Sequence, residues 1–93
     1  MSATVGLTEA EIWNRTIRPE VGDLSAEAAR ELLRLRLADD DVERVRQLSD
    51  KASAGTLGAE EAEELDHFLN VGRALEFLKA KARLSLREST AAA

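Results

Sequence analysis

Apolar residues recur along this chain at spacings of three and four, and the longest such pattern runs from Gly58 to Glu88. Read as a helix it is about 30 residues or roughly 45 Å long, with no proline to interrupt it. Leu65, Phe68, Leu69, Gly72, Leu75, Leu78, Ala82 and Leu86 fall on one broad face, while Val71, Phe77 and Leu84 lie off it. Apolar coverage wider than one seam predicts a second packing surface.

Three shorter patterns precede this spine. Thr8 and Glu11 form a T-x-x-E capping box that opens a helix carrying Ile12, Trp13 and Ile17, and Arg18-Pro19 closes it. Trp13 has two readings: it covers the core, or it stands out as an anchor for a partner. Gly22 marks a turn, and Ser25 then caps a helix reaching to Arg36, with Ala28, Leu32 and Leu35 on one face and Ala29, Leu33 and Leu37 widening it. Both of its sides look covered. Asp39, Asp40 and Asp41 introduce a third helix through Val42, Val45, Leu48 and Ala52, which Gly55 stops. The aspartates read as N-capping charge, with Asp40 one turn before Arg44. Leu57 and Glu61 around Gly58 complete a start signal for the spine, so a tight helical hairpin is predicted. Residues 1–7 and 89–93 carry no ordering pattern and are expected to be loose tails.

Composition narrows the fold to all-α. Trp13, Phe68 and Phe77 are the only aromatics in 93 residues, so the interior is built from Leu, Val and Ala, a set that suits helices better than a sandwich or barrel. The length implies one domain, 1–93, with a marginal core. The predicted architecture is short N-terminal helices plus a helical hairpin whose second arm is the long C-terminal helix.

Charge adds a prediction about assembly. Glu60, Glu61, Glu63, Glu64 and Asp66 crowd the start of the spine, whereas Arg73, Lys79, Lys81, Arg83 and Arg87 dominate its remainder. Each end matches its helix dipole. Two antiparallel copies would also set acidic ends beside basic ends, with Gly72 near the middle allowing close approach, so a dimeric helical bundle is expected. Trp13, Phe68, Gly72, Leu75, Leu78 and Leu86 are the candidate partner or dimer contacts. The net charge of -5 weighs against nucleic acid, although Arg30, Arg34, Arg36 and the basic spine end keep that class in view.

Other chemistry is sparse. Cysteine is absent, which removes disulfides and thiolate chemistry. The first 25 residues hold charged residues rather than an apolar signal region, and no run is long enough to cross a bilayer, so a soluble cytoplasmic protein is the simplest fit. Glu64 and His67 have the Glu-x-x-His spacing of carboxylate-bridged di-iron helices, which makes a dimeric ferroxidase-like protein the alternative function. One histidine gives neither a mononuclear zinc site nor a triad, and Asp39 to Asp41 lack the spaced ligands and glycine of a calcium loop. No cofactor and no catalytic residue is predicted.

Three blocks together carry a resemblance: IRPEVGDLSAEAARELL (17–33), LSDKASAGTLGAEEAEELD (48–66) and VGRALEFLKAKARLSL (71–86). The chain resembles a family of small, uncharacterised bacterial helical proteins in which Arg-Pro-Glu…Gly-Asp-Leu-Ser, a Glu-Gly-Thr-Leu-type turn and Lys-Ala-Arg-x-Ser-Leu recur. It departs from that pattern at Gly58-Ala59, where the family has a Ser/Thr-Pro helix start. Members are often encoded beside small HNH-type endonucleases. The resemblance thus implies a protein partner of that kind, and no motif in it implies a reaction.

Overall fold

The structure, a computed structural model, describes residues 6–92 and the side chains of residues 6–90. It is all-helical: α1 spans Glu9–Ile17, α2 Ala26–Leu33, α3 Asp39–Ala54 and α4 Ala59–Ala92, with no strand among the described residues. In space the chain divides into two compact units. The first comprises Met1–Leu35 with Arg73–Ala93, the second Arg36–Gly72, so α4 contributes to both.

In the first unit the local signals set the helix starts. Thr8 Oγ1 accepts the Glu11 N–H at 3.1 Å while Glu11 Oε1 accepts the Thr8 N–H at 2.8 Å, which satisfies two orphan donors reciprocally. α1 stops at Ile17, and Arg18 takes a left-handed conformation, φ 56°, with its N–H returned to the Asn14 carbonyl at 2.9 Å. Ser25 caps α2 through the Ala28 N–H at 3.1 Å. α2 then ends at Leu33 rather than Arg36. Its last N–H groups tighten to i−3 carbonyls, and Leu35 beyond them is exposed, so a further turn would bury nothing. Coverage of both sides of α2 is likewise corrected: Ala29 is buried, whereas Ala28 is exposed.

The second unit is a helical hairpin. α3 begins at Asp39, one turn earlier than the apolar pattern, and its N-cap is Ala38, which has no capping side chain. Asp39, Asp40 and Asp41 therefore act on the helix dipole from the first turn and do not cap it. Gly55 ends α3 at φ 74°, and the Thr56 N–H reaches back to the Lys51 carbonyl at 2.9 Å. Gly58 donates its N–H to Glu61 Oε1 at 3.1 Å, the half of a capping box that needs no N-cap side chain. Cross-hairpin pairs Arg44 with Glu64 and Lys51 with Glu61 fix the antiparallel register. Arg44 is thereby taken from Asp40, its expected partner.

The core is thin. The buried hydrophobics among the described residues are Ile17, Ala29 and Ala82 in the first unit and Leu48 in the second. Val42 and Ala52, expected beside Leu48 on one buried face, are exposed. The predicted loose C-terminus is a correction: α4 continues through Ala92, because Arg87 to Ala92 contain no Gly or Pro and end in strong helix formers. Residue 93, and residues 1–5 of the predicted N-terminal tail, lie outside the described residues.

Candidate functional site

The first unit is held by a polar clamp that the apolar pattern does not reveal. Lys81 is buried on α4, and its ammonium donates to the carbonyls of Val21 at 2.9 Å and Arg18 at 3.3 Å and to Asp23 Oδ1 at 2.6 Å. Three donors meet three acceptors, so the cation is fully satisfied. The ammonium holds the Asp23 carboxyl below its ordinary range. One turn on, Ser85 is 1% exposed; it accepts the Leu24 N–H at 3.2 Å and donates to the Lys81 carbonyl at 2.8 Å. Gly22 lies close beneath: a Cβ there would come within 3.0 Å of both Leu84 Cγ and the Ser85 backbone nitrogen. The Arg18-to-Ser25 segment and the Lys81-to-Leu86 segment, the first and last blocks of the sequence resemblance, thus meet in a structural lock.

The sequence-predicted contact residues are scattered between the units. Trp13 is 38% exposed, and its indole N–H donates to Glu9 Oε2 at 3.2 Å on the same helix. Leu75, Leu78 and Leu86 are half-buried in the first unit, and Phe68 is half-buried in the second. Around Gly72 the space that a Cβ would enter is empty. Leu7, Ile12, Arg15 and Thr16 line a cleft of about 360 Å³ whose described lining has one cation and one hydroxyl. That inventory lacks a general base and an activated nucleophile.

Glu64 and His67 do not form a ligand set. Both carboxylate oxygens of Glu64 are engaged by the Arg44 guanidinium, each at 2.8 Å, which lowers the Glu64 pKa. His67 is exposed on α4. A metal would have to displace Arg44, and among the described residues no three His, Cys, Asp or Glu side chains gather as a metal-binding group.

Charge and exposure single out the hairpin instead. Its four cationic residues stand against ten carboxylates, a net -6, which leaves the rest of the chain at +1. All four cations are spent within the hairpin: Arg36 on Asp39, Arg44 on Glu64, Arg46 on Glu43 and Asp50, and Lys51 on Glu61. Asp40, Asp41, Glu60, Glu63 and Asp66 make no ion pair among the described residues. At the end away from the Gly55–Gly58 turn, Val42, Leu69 and Val71 remain 50%, 51% and 53% exposed. Sequence periodicity assigned Val42 and Leu69 to buried faces, and both are exposed.

No helix among the described residues is long and apolar enough to cross a membrane. Compared with known proteins, the chain matches no family model, and no curated protein or solved structure is significantly similar to it.

Proposed function

We propose that this chain is a non-catalytic interaction module that holds a basic protein partner, an HNH-type nuclease being the candidate supplied by the sequence resemblance. The observation that carries the reading is the inverted use of apolar residues. Leu7, Ile12, Trp13, Leu35, Val42, Leu69 and Val71 are exposed, while the fully buried hydrophobics include two alanines. Large exposed apolar side chains on so thin a core call for a covering surface. The carboxylate excess selects a cationic one and raises the rate of encounter.

Self-association through α4 belongs to the same reading, motivated by its opposed end charges and the empty space at Gly72. Size-exclusion chromatography of the purified chain with the purified nuclease, at low and at moderate salt, tests the partner. Co-elution that weakens with salt is expected. Separate elution at both salts, with the nuclease shown to be folded, removes that partner.

A further inference from the structure

We infer that Gly72 is a hinge: α4 opens there, and the two compact units move as separate bodies on either side of it. The chain passes between the units twice. One crossing, Leu35 to Arg36, falls in residues 34–38, which form no helix between α2 and α3. The other, Gly72 to Arg73, falls inside α4. Of these two covalent connections only the helical one can transmit orientation as a rod. Yet it is at this crossing that α4 carries the single glycine of its 34 residues.

Packing does not account for that glycine. A Cβ at residue 72 would meet nothing within 4 Å beyond its own turn of helix, whereas one at Gly22 would press on Leu84 and the Ser85 backbone. The missing side chain at 72 therefore acts through the backbone. Glycine loses more freedom in a helix than alanine does, which makes opening at that point about fivefold more frequent. Neighbouring side chains add little restraint: Leu69 and Val71 are 51% and 53% exposed, while Lys81, Ala82 and Ser85 further along the same helix are buried. Local opening concentrates where few buried contacts must be broken. The hinge does not depend on the interaction-module reading.

The test uses the full chain, whose lack of cysteine lets pairs of spin labels be placed uniquely. Labels at Asn14→Cys and Ser49→Cys, exposed positions in different units, report between the units; labels at Ser49→Cys and Glu63→Cys report within the hairpin. Double electron–electron resonance is expected to give a broader distance distribution for the first pair than for the second. Gly72→Ala should narrow the first and leave the second as it was. Native-state amide exchange is the second readout. Gly72→Ala should slow the N–H groups of residues 73–75, whose helical bonds close around residue 72, about fivefold, and leave residues 80–86 unchanged. A first distribution as narrow as the second in the unsubstituted chain, or one that Gly72→Ala leaves broad, would overturn the hinge. So would uniform slowing along α4, which marks only the ordinary cost of a glycine in a helix. A light-scattering dimer lost on Gly72→Ala, with exchange slowed uniformly, would assign the residue to close approach of a second copy; self-association would then stand and the hinge would fall.

Discussion

Lys81 decides more of the first unit than any apolar residue does. A buried ammonium is costly unless every donor is met, and here two backbone carbonyls and Asp23 meet all three. Lys81→Ala strands those carbonyls and should lower unfolding free energy by about 2 kcal/mol, read as a fall in the urea midpoint. Lys81→Arg should not restore it, because a planar guanidinium cannot aim at three acceptors grouped around a point charge. Gly22→Ala presses a methyl against Leu84 and the α4 backbone, and a loss of about 1–3 kcal/mol is expected. An unchanged midpoint in both variants would mean that the clamp contributes nothing. None of this follows from hydrophobic periodicity. Lys81 sits among the basic residues of the spine, which read as charge matched to the helix dipole, and its acceptors lie some sixty positions earlier in the chain.

At the level of elements, local chemistry was the legible part. The Thr8–Glu11 box, Ser25 and Gly55 act where their sequence context places them, since each uses partners within a few residues. Thr8→Ala should cost about 1 kcal/mol, concentrated in α1, and amide exchange across Glu9–Ile17 should accelerate more than across α4. What failed to show were faces. Trp13, Val42 and Leu69 have the spacing of buried residues, but burial depends on a neighbour reaching them, and periodicity records only which side they occupy. Leu48 does find cover, so Leu48→Ala should cost about 3 kcal/mol while Val42→Ala costs under about 1.

For the whole molecule, the carboxylates make stability pH-dependent with a fixed sign. Asp23 is held low by Lys81, Glu61 by Lys51 and the Gly58 N–H, Glu64 by Arg44, Glu43 by Arg46 and Glu11 by Thr8. A depressed folded pKa means the unfolded chain takes up protons first. The stabilisation is therefore complete above the ordinary values, 4.5 for Glu and 3.8 for Asp, and is lost as pH falls through the lower folded values. The melting temperature should be flat from neutrality down to that range and then drop; a rise on acidification would contradict these pairings. Light scattering at tens of micromolar should give a dimer mass, and Leu75→Asp should abolish it, whereas a wild-type monomer would end the self-association proposal.

Because α4 is a wall of both units, the boundary at Gly72 is not a place where this protein can be cut. Excising 36–72 would leave the hairpin's second arm ending in a glycine with its last four carbonyls unpaired, and would leave the clamp on a helix without its first turns. The chain is thus two units in space and one in inheritance: rearrangements that shuffle domains have no seam here, and a fusion or truncation must take the whole of α4 or neither half of it.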